Sequence, residues 1–317
     1  MDFAGKRIWF FIFSFLVIVP GIVFLAIAPG LKPGIDFTGG SSMTLGFSES
    51  SDVKQKQIRD ILITQGYPET TVQNLGDSNF FVRTKELDDT AKPNLTQTLI
   101  AKLDPESENI LRSFDLVSPI VASETVLNAI WAVIAATIGI FIYVWGAFRN
   151  VPSPFRYGLA AIVALLHDTI IVVGIFAILG ELFDTEVNTM FLIAVLTVIG
   201  YSVNDTIVVF DRIRENVSRS PDRDFSNTVN LSIMESVGRS LNTSITTLVV
   251  LLAMLLIGGN SIRELLLVLA IGAMAGTYSS IFIASQYLVM WDRGEIGRFF
   301  KRGPAAAASS LLHLMGR

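Results

Sequence analysis

The sequence predicts a polytopic α-helical membrane protein with six transmembrane helices and one α+β domain outside the bilayer. Three observations predict it. Hydrophobic residues make up 51% of the 317 and charged residues 16%, a balance that suits a multi-span membrane protein. Apolar runs long enough to cross a bilayer recur along the chain. One long polar stretch, after the first run, carries strand and helix periodicities instead.

The apolar runs extend from Ile8 to Ala28, Val126 to Phe148, Phe155 to Leu179, Val187 to Phe210, Leu241 to Ile257 and Leu265 to Met290. The first follows Lys6 and Arg7 and ends in Ala26-Ile27-Ala28, features a cleavable signal also has. Its apolar part exceeds a usual signal core, so a retained anchor is expected. Basic residues set the orientation. Arg149 and Arg156 flank the connection after span two, and Arg212, Arg214, Arg219, Arg223 and Arg239 lie between spans four and five. Arg293, Arg298, Lys301 and Arg302 follow span six. The alternate loops hold Glu181, Asp184 and Glu186 without a base, and Arg263 offset by Glu264. The positive-inside rule then puts both termini in the cytoplasm. The expected division is a transmembrane helix over 1–30, an extracytoplasmic domain over 31–125, a five-helix transmembrane bundle over 126–302 and a flexible cytoplasmic tail over 303–317.

Within the polar stretch, Ser42 to Phe47 reads as a strand. A helix follows from about Asp52 to Gln65, with Val53, Ile58, Ile61 and Leu62 apolar and Ser51 as its N-cap. Thr71 to Leu75 and Phe80 to Thr84 are strands around the turn Gly76-Asp77-Ser78-Asn79. A helix from Asn94 to Leu103 and a strand from Ile110 to Leu116 complete a β-α-β-β-α-β order, the ferredoxin-like arrangement.

Asp205 is the leading candidate for function, because it lies within the apolar run Val187 to Phe210. A charge at that depth costs roughly 2.5 to 17 kcal/mol depending on the method. Thr197, Tyr201, Asn204, Asp205 and Val208 share a helix face by spacing. After Arg239, the residues Asn242, Thr243, Thr246 and Thr247 form a polar stripe that is expected to turn inward. Arg239 opens span five where span four ends, so it and Asp205 can meet at similar depth. Two readings stay open for this pair: an ion pair that orders two helices, or a proton site whose affinity a moving arginine switches. His167 and Asp168 form a second intramembrane pair in span three. His167 also fits an interior histidine hydrogen-bonded to a neighbouring helix. Gly272 and Gly276 in span six make a GxxxG that suits close helix packing.

Several classes of chemistry lose support. Cysteine is absent and histidine is limited to His167 and His313, so no thiolate or histidine metal cage is expected. Gly34-Ile35-Asp36-Phe37-Thr38-Gly39-Gly40 lacks the Gly-Lys-Ser/Thr of a phosphate loop. An aspartyl intramembrane protease built on Asp168 and Asp205 is disfavoured by the arginine expected beside Asp205. A net charge of -4 does not suggest nucleic-acid binding. No cofactor, metal or enzymatic activity is expected.

Four motifs point to one family. Gly34 to Gly40, Leu166-His167-Asp168, the run from Gly200 to Asn216, and Arg239-Ser240-Leu241-Asn242-Thr243-Ser244 resemble the SecF family over about Lys6 to Arg302. SecF is a subunit of the bacterial SecD–SecF accessory complex of the Sec protein translocase, related to the resistance–nodulation–division transporters. The resemblance implies a multi-pass protein of the bacterial cytoplasmic (inner) membrane that works with SecD. It implies use of the proton-motive force to help preproteins leave the SecYEG translocon on the outer side, and it extends the expected partners to YajC and YidC. Asp205 and Arg239 then look like members of a proton-coupling cluster completed by an acidic residue from SecD. Asp168, Asn204 and His167 are further candidates for proton coupling. A hinge near Pro33-Gly34 and Gly39-Gly40 is expected on backbone grounds. The alternatives are a proton-driven small-molecule efflux subunit and a purely structural membrane subunit.

Overall fold

The computed structural model describes residues 3–27, 30–48, 51–87, 90–259 and 262–295. The expected tail over 303–317 lies outside them. Contacts divide the chain into two compact units, Met1–Gly30 with Val133–Ile178 and Met190–Arg317, and Leu31–Ala132 with Leu179–Thr189.

Among the described residues, 6 helical segments are long and apolar enough to cross a membrane. They are α1 (Arg7–Ala26), α5 (Pro119–Ala147), α6 (Phe155–Phe183), α7 (Thr189–Arg219), α8 (Phe225–Ile257), and α9 (Arg263–Ser279) running through a π-helical turn (Ser280–Ala284) into α10 (Ser285–Asp292). Two of these begin well before the apolar runs do. Helix α5 starts at Pro119 rather than Val126, because proline's fixed φ suits a first helical turn. Helix α8 starts at Phe225 rather than Leu241; Asp224 caps it, accepting from Asn227 N at 3.1 Å. Its early turns are polar on one side and bury Val229 and Ile233 on the other.

The membrane-type unit has one packed core. Phe148, Tyr157, Val209, Phe210, Ile233, Ala284 and Leu288 are each fully or nearly fully buried in it. The Tyr157 ring stacks on Phe148 at 5.2 Å and meets the edge of Phe210 at 5.3 Å. Glycines set the closest approaches. A Cβ on Gly21 would lie 2.7 Å from Gly174 Cα, so α1 and α6 touch backbone to backbone. Gly272 and Gly276 make room for the side chains of Val198 and Ser202 of α7.

The second unit begins with a short strand, β1 (Lys32–Pro33), and a helical turn, α2 (Ile35–Thr38). Then come β2 (Gly40–Gly46), α3 (Gln55–Thr64), β3 (Thr71–Gly76), β4 (Asn79–Thr84), α4 (Ala91–Leu103) and β5 (Leu111–Val117). The last four strands form an antiparallel sheet in the order β3-β4-β2-β5. Asp77 and Ser78 make the β3–β4 turn, both at positive φ. Met43, Leu45, Val72, Phe80 and Val82 project from one sheet face onto Ile58 and Leu62 of α3 and Leu95 and Leu99 of α4. Burying each such side chain contributes about 1.5 to 3 kcal/mol. Ser51 is not the cap of α3. It bonds back to Ser48 O, and Gln57 Oε1 instead accepts from Lys54 N at 2.8 Å. A sixth strand, β6 (Glu186–Val187), lies in the α6–α7 connection and pairs in parallel with β1.

Candidate functional site

Asp205 sits on the buried face of α7 with Val198, Ser202 and Val209, and is 7% exposed. Opposite it are Ser240 of α8 and Ser280, the first residue of the π-helical turn. Ser280 Oγ is engaged with Gly276 O. Asp205 Oδ2 and Ser240 Oγ have no hydrogen-bond partner among the described residues. Such an orphaned carboxylate oxygen in an apolar interior is unusual and costly. The π turn widens the helix beside this carboxylate, a feature that concentrates at functional sites.

Arg239 does not meet Asp205. Arg239 is exposed, and no ion pair joins Asp205 to any described residue. One residue is about 100° of helix rotation, so the buried stripe Val229, Ile233, Ser236, Ser240 and Ser244 brings Ser240 inward and turns Arg239 out. Asn204, next to Asp205, is turned out by the same geometry. The stripe after Arg239 is also outward, contrary to expectation: Asn242, Thr243 and Thr246 are exposed and Thr247 is half-buried. The threonines return their hydroxyls to carbonyls one turn back, as Thr243 does to Arg239 O at 3.0 Å and Thr247 to Thr243 O at 3.0 Å. Tyr201 Oη donates to Thr247 Oγ1 at 3.4 Å, joining the polar faces of α7 and α8.

Asp168 is more deeply buried than Asp205, at 1% exposed, but fully partnered. Its Oδ2 accepts from Ser202 Oγ at 2.5 Å and Ser279 Oγ at 2.7 Å, while Oδ1 lies 2.9 Å from His167 Nδ1. His167 Nε2 is 3.0 Å from Ser14 Oγ, and the ring stacks on Tyr278 at 6.1 Å. This network joins α1, α6, α7 and α9. Ser279 serves Asp168 and the adjacent Ser280 faces Asp205, so neighbouring positions of one helix meet both carboxylates.

The serines were the residues that sequence reasoning missed. Ser14, Ser202, Ser240, Ser279 and Ser280 all stand on buried faces beside an acid or its partner. Helical spacing from Asp205 to Ser202 was the available signal. Gln286 of α10 was missed too: it is fully buried and neither of its amide atoms has a partner among the described residues.

The glycine-rich segment is tightly held, not a free joint. Gly34 N donates to Val187 O at 2.7 Å, and Asp36 Oδ2 accepts from Thr189 N at 2.7 Å. Arg83 of β4 donates to Pro33 O and to Thr38 Oγ1, each at 2.7 Å, and pairs with Glu186 at 3.3 Å. Burial raises the Glu186 carboxyl above the usual range, and Arg83 opposes that shift. Lys32 pairs with Asp184 at 2.6 Å. No group of three or more acidic or histidine side chains suited to a metal occurs among the described residues.

Comparison with known proteins now bears on these features. The family model described as protein export membrane protein SecD/SecF, C-terminal, matches residues 96–294, and that of the SecD/SecF GG motif matches residues 24–50. Protein translocase subunit SecF of Thermobaculum terrenum is 40% identical over 98% of this chain and 100% of its own length. That of Anaerolinea thermophila is 38% identical with the same coverage. Protein translocase subunit SecDF of Bacillus subtilis is 34% identical over 93% of this chain but 38% of its own. The crystal structure of SecDF, a translocon-associated membrane protein, from Thermus thermophilus aligns with a TM-score of 0.81 at 32% identity, covering 92% of this chain and 39% of that one. Relative to SecDF, then, the chain spans about two-fifths of the length. Full-length agreement with the separate subunits and a match over both motifs leave one conclusion: the chain belongs to the SecF family of protein translocase subunits.

Proposed function

We propose that this chain works with SecD to drive preprotein translocation through the Sec translocon with the proton-motive force, and that Asp205 is the carboxylate that binds and releases the proton. The observation that carries the reading is the contrast between two buried acids. Asp168 has a donor on each oxygen, whereas Asp205 Oδ2 has none and no cation pairs with it among the described residues. A carboxylate without a fixed counter-charge can change protonation at modest structural cost. The absence of an Asp205–Arg239 ion pair also disfavours the purely structural alternative.

Arg239, Asn242, Thr243 and Thr246 give α8 an exposed polar face that lipid does not solvate, and Asn204 of α7 is exposed as well. We assign that face to SecD, whose own acidic group pairs with Arg239 in the assembled complex. Proton arrival at Asp205 then changes the packing between α7, α8 and the π turn. The energy available is adequate, since moving one charge across 100 mV yields about 2.3 kcal/mol. In this reading the termini are cytoplasmic, and the β2–β5 sheet with its two helices is a ferredoxin-like module on the outer side. SecYEG is the associated channel, with YajC and YidC as further neighbours.

The test is Asp205→Asn in a complex with SecD reconstituted beside the translocon. The expected result is loss of both proton uptake and gradient-dependent export, with assembly retained. Unchanged uptake and export would remove Asp205 from the mechanism.

A further inference from the structure

The glycine-rich segment lies outside the proposed proton site, yet its backbone and side chains are held by several polar contacts within their unit. Its central acid, Asp36, accepts the backbone N–H of Thr189, the first residue of α7, from 153 positions away in sequence. The first N–H groups of a helix lack intrahelical partners, and a carboxylate there both satisfies one and meets the positive end of the helix. Helix α7 then runs unbroken to Arg219 and carries Asp205 about 24 Å further along its axis, at ~1.5 Å per residue.

The surroundings of Asp36 leave it little freedom. The β1–β6 pairing and the Gly34–Val187 bond hold the segment to the α6–α7 connection on one side. Arg83 holds it to β4 on the other, through Pro33 and Thr38. Gln73 of β3 donates to Asp184 O at 2.5 Å, so the sheet also grips the connection directly. Gly39 and Gly40 have φ of +73° and +119°. A Cβ on Gly40 would lie 2.7 Å from Thr84 O, and one on Gly39 would lie 3.0 Å from Pro119 Cα. These glycines allow close contact with β4 and with the start of α5, where a hinge would need slack.

We propose that Asp36 is a positioning residue that fastens Thr189, the first residue of α7, and with it the α6–α7 connection, to the glycine-rich segment beside the β2–β5 sheet, and that export depends on this joint. The proposal rests on the proton-coupling role of Asp205 given above.

The experiment uses the whole chain in complex with SecD and the translocon, in proteoliposomes. Three quantities are read: hydrogen exchange at the amides of residues 189–192, proton uptake, and gradient-dependent export. Asp36→Ala is expected to speed exchange in that turn about tenfold. Export should fall roughly fivefold to tenfold while proton uptake stays at the wild-type level, in line with a cap of ordinary strength. Asp36→Asn should restore both, because asparagine caps as well as aspartate. Thr189→Pro removes the donor but keeps a residue favoured at the first helical position, and should reproduce the export loss. Wild-type exchange or export in Asp36→Ala overturns the proposal. So does Asp36→Asn as defective as Asp36→Ala, or Thr189→Pro that exports normally. If Asp36→Ala fails to assemble, the asparagine and proline variants decide. Failure of the proton reading appears separately, as an indifferent Asp205→Asn, and the exchange measurement still supports or overturns the positioning of α7.

Discussion

Ser279 donates its hydroxyl to Asp168 Oδ2 at 2.7 Å, and the very next residue, Ser280, faces Asp205. One carboxylate is thereby locked and the other left with an open oxygen. Their substitutions should separate accordingly. Asp168→Ala strips the partner from Ser202, Ser279 and His167, and each buried group left unsatisfied costs about 1 to 3 kcal/mol. We expect a lower midpoint of thermal unfolding in detergent by many degrees. Asp205→Asn removes no ion pair and should leave that midpoint nearly unchanged. Equal losses in the two variants would erase the distinction drawn between them.

The α7–α9 contact depends on glycine. A Cβ on Gly272 would come within 2.1 Å of Val198 Cγ2, and one on Gly276 within 2.9 Å of Ser202 Cβ. Overpacking of this kind costs about 1 to 3 kcal/mol. Gly272→Ala should therefore destabilise the chain, and Val198→Ala should recover part of the loss by clearing the space. A double-mutant cycle on thermal stability measures the coupling, and strictly additive effects would mean that the helices do not meet there.

Much of this arrangement was legible in the sequence, for definite reasons. Apolar runs identify spans because hydropathy measures what lipid accepts. The same measure misses polar helix, which is why the polar turns of α8 before Leu241 read as a connection. The order from β2 to β5 followed from periodicity, and the Asp77-Ser78 turn from its residue types, whereas the short β1 and α2 were too brief to show any period. The Asp205–Arg239 contact failed on a finer point. Spacing gave both residues similar depth, but only the packed structure shows that Ser240 faces inward and Arg239 does not. Lone serines in apolar runs carried no weight until an acid was seen beside them. The bond from Thr189 to Asp36 joins positions too far apart for any local pattern to reveal.

Arg83 carries contacts that only a forked cation can make together. It reaches Pro33 O, Thr38 Oγ1 and Glu186 from one guanidinium. Arg83→Lys keeps the charge but has a single nitrogen on a flexible stem. We expect it to lose about 2 kcal/mol, close to the loss in Arg83→Ala. Proteolysis of the α6–α7 connection in folded protein is a direct readout, and both variants should be cut faster than the wild type. Protection restored by lysine would show that charge alone holds the connection.

Asp104 gives the unit built around the β2–β5 sheet a pH dependence of known sign. It is the residue that ends α4, where the negative end of the helix disfavours a carboxylate. Its carboxyl is nevertheless held below the usual range, first by the Ser48 backbone N–H at 2.8 Å, then by the hydroxyls of Ser107 at 2.7 Å and Ser48 at 2.8 Å. A carboxylate with a lowered pKa in the folded state stabilises that state at every pH above the unfolded value of about 3.9. The contribution fades as pH falls through the folded value. Asp104→Asn should thus melt earlier than the wild type at pH 7, because the amide is a weaker acceptor for the same donors. The gap between the two should narrow as the pH falls below about 4, where the unfolded carboxyl takes up a proton first and the folded one only at lower pH. Thermal unfolding of the full chain in detergent from pH 7 to pH 3 checks this; a gap that stays constant across the range would mean that the charge of Asp104 does not contribute.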